Sequence, residues 1–200
     1  MFDALFTTTT EYKKLSHALS GKGACALFGL PASGRAQVYA ALCRQLDKPL
    51  CIVTPGEAEA TRFAADLNTL GIPAAVFPAR DYVLRPIEGT AREYEYRRLA
   101  VLGELVGGRL RAVAVPAEAL TQFTTPKEDF CANTRTLHAG DTLLRDDLLA
   151  ALFGAGYTRR AQVDGPGQFS VRGDIVDIFA PDQKMPVRME FWGDEIDTLY

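Results

Sequence analysis

The first stretch of this sequence whose residue types suggest chemistry is residues 29–36, GLPASGRA. A phosphate-binding loop has two glycines five positions apart, followed by Lys and then Ser or Thr. Gly29 and Gly34 fit, but Arg35 replaces the lysine and Ala36 replaces the hydroxyl that would hold Mg²⁺. Pro31 also removes one backbone N–H donor. The loop therefore predicts a structural turn that does not hydrolyse ATP, with a residual anion site at Gly29, Gly34 and Arg35 as the alternative.

The second such stretch is the alternating segment from residue 187 to residue 192. One set of alternate residues is apolar, and the other set contains Arg188 and Trp192. In the preceding strand Arg172 also belongs to the set that alternates with apolar residues, so Arg172, Arg188 and Trp192 are predicted to share an exposed face. Arg and Trp together are typical of a protein-binding hot spot. The alternative is that Trp192 lies under a helix and that the arginines are ordinary solvated charges.

No other residues predict a catalytic or metal site. His17 and His138 lack a nucleophile or carboxylate partner in a recognisable motif. The acidic residues near the C-terminal turns have no ligand spacing and are interpreted as turn and edge solubilisers: Asp174, Asp177, Asp194, Glu195 and Asp197. The four cysteines lack metal-binding spacing, and three of them, in apolar or helical contexts, are predicted to be buried thiols.

Composition indicates a soluble globular chain with no general attraction to nucleic acid. The 200 residues are 48% hydrophobic and carry a formal net charge of -3, so a packed core is expected, and DNA binding by the chain as a whole is not supported. A local basic patch is left open. The absence of a signal-peptide pattern and of a long apolar run predicts a cytoplasmic location. Because the sequence stops at Tyr200 near the end of a predicted strand, we expect an N-terminal fragment of a longer protein.

Short apolar segments alternating with helical patterns predict an α/β domain over residues 1–124 that is P-loop-like (RecA-like), with a partial parallel sheet. The expected strands are Ala24–Phe28, Leu50–Val53, Ala74–Phe77 and Ala112–Val115. The expected helices are Glu11–Leu19, Arg35–Leu46, one from a capping box at Thr54–Glu57 to Gly71, Glu93–Leu105 and Ala117–Phe123.

Residues 125–200 predict a small α+β domain with an antiparallel sheet. A polar break at 125–129 precedes an expected strand at Thr134–His138 and a helix at Arg145–Phe153. Four further strands follow, separated by turn signals such as Gly173-Asp174 and Gly193-Asp194. One helix covers one face of such a sheet, so the other face is expected to be open.

The strings FSVRGDIVDIF and PVRMEFWGDEIDTL in this last region resemble two related families of bacterial damage-repair proteins, UvrB and the transcription-repair coupling factors (Mfd). UvrB proteins have an intact phosphate loop and a long DNA-clamping hairpin. The degenerate loop at Gly29 and the short segment from Arg80 to Arg92 match the N-terminal UvrB-like module (domains 1A and 2) of the coupling factors instead.

This resemblance implies a non-catalytic adaptor that recruits UvrA, the damage-recognising ATPase, to stalled transcription complexes in nucleotide excision repair. The family's contact positions correspond to Arg172, Arg188 and Trp192, the last being usually Phe in the family. It also implies that the longer protein is an ATP-dependent DNA translocase that displaces RNA polymerase, with ATP, magnesium, RNA polymerase and DNA bound only by downstream domains. Two rival readings are a nucleotide hydrolase using the loop from Gly29 to Arg35, and a DNA-binding module like UvrB.

Overall fold

The computed structural model describes residues 7–21, 24–46, 48–80 and 90–200, without the side chains of residues 90–92. These residues form two compact units. The first contains the described residues up to 80 together with residues 104–122, and the second contains the described part of 83–103 together with residues 123–200. The units are groups of mutually packed residues, so the predicted domains 1–124 and 125–200 stay a prediction.

In chain order the helices are α1 Thr10–Ser20, α2 Ala32–Gln45, α3 Glu57–Thr69, α4 Thr90–Val106, α5 Ala117–Leu120, α6 Lys127–Ala132 and α7 Arg145–Gly154. The strands are β1 Leu50–Thr54, β2 Ala74–Val76, β3 Ala112–Pro116, β4 Thr158–Arg159, β5 Gln168–Arg172, β6 Ile175–Phe179, β7 Val187–Trp192 and β8 Glu195–Leu199. Within the described ranges, no helix is both long enough and apolar enough to cross a membrane.

The first unit contains a three-stranded parallel sheet in the order β1-β3-β2. The central strand β3 is buried along its whole length, as its continuous apolar sequence predicts. Helices α2 and α3 bury small and apolar side chains in the same cluster as Ile52 and Ala114 of the sheet. The expected α/β architecture is confirmed at this level, and its RecA-like identity stays a prediction.

One predicted strand of this unit is wrong. Residues Ala24–Phe28 form no strand, and they are exposed, with 87% of Phe28 accessible. An apolar run becomes a strand only when a neighbour completes its hydrogen-bond ladder. In the described sheet β1 pairs with β3 alone, and no ladder forms with residues 24–28.

The predicted capping box at the start of α3 is also wrong. Thr54 is the last residue of β1, and its hydroxyl donates to the carbonyl oxygen of Gly56 at 2.9 Å instead of capping the helix. Gly56 is the N-cap residue, so the helix begins at Glu57. The predicted end at Gly71 is confirmed, since this glycine has a φ of 76°.

The second unit contains a five-stranded sheet in the order β4-β5-β6-β7-β8. Strands β5 to β8 are antiparallel, as predicted, but the two-residue edge strand β4 runs parallel to β5, so the sheet is mixed. Gly173 begins the turn β5–β6 with a φ of 61°, and Gly193 begins the turn β7–β8 with a φ of 64°. A type II′ turn in a two-residue hairpin requires a positive φ at this first turn residue.

Helix α7 packs its apolar side on one face of this sheet. Leu148 and Leu152 join a buried cluster with the sheet residues Phe169, Val176, Met189, Phe191 and Ile196. The strand predicted at Thr134–His138 is wrong, because the chain reaches the sheet edge later: the Leu143 N–H donates to Asp194 and the Gly140 N–H to Ile196, each at 2.7 Å. The polar break predicted at 125–129 contains the start of α6.

The prediction of three buried thiols is wrong. Cys43 is buried in the core of the first unit, while Cys25, Cys51 and Cys131 are exposed. Cys25 lies in the exposed segment described above, and Cys51 is on the exposed side of β1. Apolar neighbours in the sequence therefore did not bury these side chains.

Candidate functional site

The second sheet has one face that α7 does not cover. Along β7, Met189 and Phe191 are buried in the core beneath α7, whereas Arg188 is exposed and Trp192 is 83% exposed. The alternation predicted from the sequence is therefore present. We call the surface formed by Arg172, Ile175, Asp177, Arg188, Glu190 and Trp192 the open face.

Strand register places the three predicted contact residues around one patch. Arg172 pairs with Ile175, which pairs with Glu190, and Glu190 lies between Arg188 and Trp192 on β7. Neighbouring strands are about 4.8 Å apart and successive residues about 3.3 Å, so the patch measures roughly 10 Å by 13 Å. A patch of this size fits within the core of a protein interface. The role of these residues in binding stays a prediction.

Arg188 is held against the sheet by Asp177, its cross-strand partner on β6. Its Nε donates to Asp177 Oδ1 at 2.6 Å, and its second terminal nitrogen donates to Oδ2 at 3.1 Å. This hydrogen-bonded Arg188 lowers the pKa of Asp177, and the carboxylate in turn raises the pKa of Arg188. Paired in this way, the guanidinium has one defined orientation on the open face.

A buried hydroxyl supports the carboxylate from the next strand. Ser170 of β5 is only 2% exposed, and its Oγ donates to Asp177 Oδ2 at 3.2 Å. Asp177 was interpreted from the sequence as a turn solubiliser, but it lies in the middle of β6 and accepts bonds from two side chains. The sequence signal that would identify it is the register of the β6–β7 hairpin, which sets Asp177 opposite Arg188.

The sequence predicts that the whole face opposite α7 is open, but on the β5 side this is wrong, because Ser170 is only 2% exposed. Arg172 donates to the carbonyl of Ala161 at 2.9 Å, and the side chain of Gln168 accepts the N–H of Asp164 at 3.1 Å. The connection between β4 and β5 is thereby tied to the β5 side of this face, where Ser170 is buried. On this face of β5, Arg172 is exposed and Gln168 is half-buried.

Trp192 has no helix above it in the described part of the chain, so the alternative of a Trp buried under a helix is wrong. It ends β7 opposite Glu195, just after a register shift between Glu190 and Phe191. Glu190 accepts hydrogen bonds from Thr198, at 3.4 Å, and from the hydroxyl of Tyr200. That bond to Glu190 raises the pKa of Tyr200, which also interacts with Arg188.

The degenerate phosphate loop differs in shape from the prediction. Helix α2 begins at Ala32, three residues earlier than expected, so Gly34 and Arg35 lie in its first turn. The Arg35 side chain forms an ion pair with Glu59 at 3.7 Å. A Cβ on Gly34 would be 3.3 Å from Pro31, so this glycine permits the proline to pack closely. The anion-site hypothesis for Gly29, Gly34 and Arg35 stays a prediction.

No group of three His, Cys, Asp or Glu side chains in the described ranges is arranged to hold a metal ion. Most of the segment from Arg80 to Arg92, whose short length in the sequence matches the coupling factors, lies outside the described residues.

Comparisons with known proteins show which families the chain is similar to. Residues 136–200, which contain the entire open face, match the family model for the UvrB interaction domain. The chain is 39% identical over 177 residues to a transcription-repair-coupling factor of Mycobacterium tuberculosis, covering 84% of this chain and 14% of that protein. It is 29% identical over 175 residues to the coupling factor of Bacillus subtilis, covering 86% of this chain and 15% of that protein.

A UvrABC system protein B from Chlorobium limicola is 28% identical over 188 residues, covering 86% of this chain and 28% of that protein. Residues 136–200 of the second unit thus match the UvrB interaction domain, and most of the chain is similar to a segment of these repair proteins. More particularly, it is similar to the N-terminal region of the transcription-repair-coupling factors, as the sequence resemblance predicted. It spans about 15% of the length of the coupling factors it matches.

Proposed function

We propose that this chain is a non-catalytic adaptor that binds UvrA through the open face and so recruits it to stalled transcription complexes in nucleotide excision repair. The observation that carries the proposal is an 83% exposed Trp192 on the same sheet face as Arg188 and Arg172. All three residues lie in the region that matches the UvrB interaction domain.

The physical argument begins with the tryptophan. A large aromatic side chain left in water gains free energy when a partner removes it from solvent, and Trp and Arg are the residues most enriched among interface hot spots. Arg188 is already fixed by Asp177, so binding does not have to order a long flexible side chain. The patch supplies one aromatic anchor with oriented donors beside it.

The charges of the open face favour a protein partner over DNA. Arg172 and Arg188 are balanced by Asp177 and Glu190, and the whole chain has a net charge of -3. Binding to a phosphate backbone depends on an excess of Lys and Arg. A protein surface with carboxylates beside an apolar pocket complements this face better than a phosphate backbone does.

For the longer protein, the relatives support further proposals. An ATP-dependent DNA translocase motor, with its ATP and magnesium, and the sites for RNA polymerase and DNA would lie in the parts of the protein that this chain does not span. The proposed location is the cytoplasm.

Binding of the chain to purified UvrA by isothermal titration calorimetry tests the adaptor proposal. Arg172→Ala, Arg188→Ala and Trp192→Ala are compared with the wild type, and hot-spot truncation is expected to cost about 1–3 kcal/mol in at least one of them. Matched controls are Arg135→Ala, an exposed arginine outside the sheet, and Met185→Ala, a 72% exposed apolar side chain in the β6–β7 connection.

Equal binding of all three variants would exclude the open face as the interface. Lack of binding by the wild type would refute the adaptor proposal for this chain. A salt-dependent shift of duplex DNA by the chain would instead favour the DNA-binding alternative.

A further inference from the structure

Arg188 and Asp177 of the open face form a polar network with the buried Ser170 that crosses three strands. Ser170 on β5 donates to Asp177 on β6, and Asp177 holds Arg188 on β7. On the other side of Arg188, the hydroxyl of Tyr200, which follows β8, donates to Glu190. The guanidinium itself is held from the β6 side, by Asp177.

The exposed fraction of the side chains increases from Ser170 through Asp177 to Arg188. Ser170 is buried, the side chain of Asp177 is 18% exposed, and that of Arg188 is 44% exposed. The carboxylate therefore lies mostly beneath the guanidinium, where a large partner has little access to it. A guanidinium has five N–H donors, of which Asp177 takes two. The N–H donors of Arg188 that Asp177 does not use lie on the accessible side of the guanidinium.

We propose that Asp177 is a positioning residue of this interface, which acts on the partner through Arg188 and not by direct contact. It fixes the orientation of the guanidinium before binding, so that the fork meets an acceptor on the partner, most simply a carboxylate, while Trp192 enters an adjacent apolar pocket. This inference rests on the proposed function, because it concerns the same face and the same partner.

Two side-chain geometries make this assignment specific to Asp177. Only a carboxylate offers two acceptor oxygens to both Nε and a terminal nitrogen of arginine. Asparagine keeps one acceptor but places an amide N–H₂ against the second guanidinium nitrogen, so the variant Asp177→Asn should release Arg188. Ser170→Ala removes the support behind Oδ2 but leaves the bidentate pair, so a smaller loss is expected.

A double-mutant cycle with purified UvrA tests the proposal. Asp177→Ala and Asp177→Asn in the wild-type background are expected to weaken binding by roughly 5- to 30-fold, which lies in the middle of the roughly 2- to 160-fold range of coupling between directly paired side chains. In the Arg188→Ala background, the same Asp177 changes are expected to have an effect below about twofold. The matched charge control is Asp146→Ala, which removes an 88% exposed carboxylate from α7, on the opposite side of the sheet.

A second measurement follows the orientation of Arg188 without the partner. The Nε–H proton of Arg188 should exchange slowly with water in the wild type and rapidly in Asp177→Asn, as observed by ¹⁵N NMR. Thermal unfolding of each variant identifies any loss of folding. A variant that does not fold is replaced in the cycle by Ser170→Ala, whose smaller effect should likewise vanish in the Arg188→Ala background.

Three results would overturn the inference. If Asp177→Asn binds UvrA with wild-type affinity while Arg188→Ala binds it weakly, Arg188 needs no positioning by Asp177. If the Asp177 variants lose the same affinity in both backgrounds, Asp177 acts independently of Arg188. If Arg188→Ala binds UvrA with wild-type affinity, Arg188 is not part of the interface. Absence of wild-type binding would instead refute the underlying proposed function, so the two failures are distinct.

Discussion

Trp192→Ala is the substitution with the largest expected effect on binding and the smallest on folding. The side chain is 83% exposed in the chain alone, and an aromatic side chain of this size covers roughly 200 Å². At about 25 cal/mol per Å², complete burial in a partner has an upper limit of about 5 kcal/mol. Ordering costs and incomplete burial reduce this value, so a loss of about 2–4 kcal/mol is expected, or roughly 30- to 1,000-fold in Kd.

Folding should be nearly unchanged, because the folded chain leaves this side chain in water. The expected change in the free energy of unfolding is about 0.5 kcal/mol or less. Trp192→Phe retains an aromatic anchor, and it should bind within about 1.5 kcal/mol of the wild type because only part of the buried area is lost. The three proteins are compared by calorimetric titration with UvrA and by urea denaturation.

The affinity for UvrA and the free energy of unfolding together test whether Trp192 is an interface residue. Unchanged affinity of Trp192→Ala, with folding intact, would show that this exposed aromatic is not part of an interface with UvrA. A drop in the free energy of unfolding of 2 kcal/mol or more would show that Trp192 packs within the chain, and the argument from its exposure would then be wrong.

Three further predictions concern folding and ligands. Gly167→Ala should destabilise the chain by about 2 kcal/mol or more in urea denaturation, since the residue has a φ of 74° and its new Cβ would lie 2.2 Å from the Tyr96 hydroxyl; Gly156→Ala, with a φ of 83° and open space, should cost only about 1 kcal/mol. Equal losses would contradict the steric part of that reasoning. Burial, aided by nearby Asp182 and Tyr96, raises the pKa of Tyr157 to about 12, so absorbance titrations should show a late-ionising phenol that is missing from Tyr157→Phe. Because the neutral form is favoured in the folded state, stability should fall between pH 10 and 12 relative to Tyr157→Phe, and a uniform titration near pH 10 would refute this assignment. Titration with ATP and Mg²⁺ should give no saturable binding, as the loop lacks the magnesium-binding hydroxyl; saturable binding abolished by Arg35→Ala would instead support the nucleotide alternative.

Elements with a strong local pattern were predictable from the sequence. The period-two alternation of β7 correctly separates buried Met189 and Phe191 from exposed Arg188 and Trp192, because the side chains of a strand point to opposite faces whatever its neighbours are. The Gly-Asp pairs likewise mark the turns β5–β6 and β7–β8, because glycine permits the positive φ that these turns need.

Elements that depend on a distant neighbour were not predictable in this way. Residues 24–28 have the apolar composition of a strand, but no partner completes their ladder in the described sheet. Thr54 has the residue type of an N-cap, but pairing with Pro116 keeps it in β1. In both cases local propensity competes with tertiary hydrogen bonding, and the tertiary arrangement determines the outcome.

The sequence by itself determined on which face of the C-terminal sheet alternate side chains lie, and hence the three residues of the candidate interface: Arg172, Arg188 and Trp192. Only the tertiary structure decided that Asp177 holds Arg188, that Ser170 supports Asp177, and that the β4–β5 connection is tied to one side of the same face. The physical reason is the range of the interactions. The direction of a side chain follows from the local strand period, whereas an ion pair between strands requires a register that the whole hairpin and its packing set together.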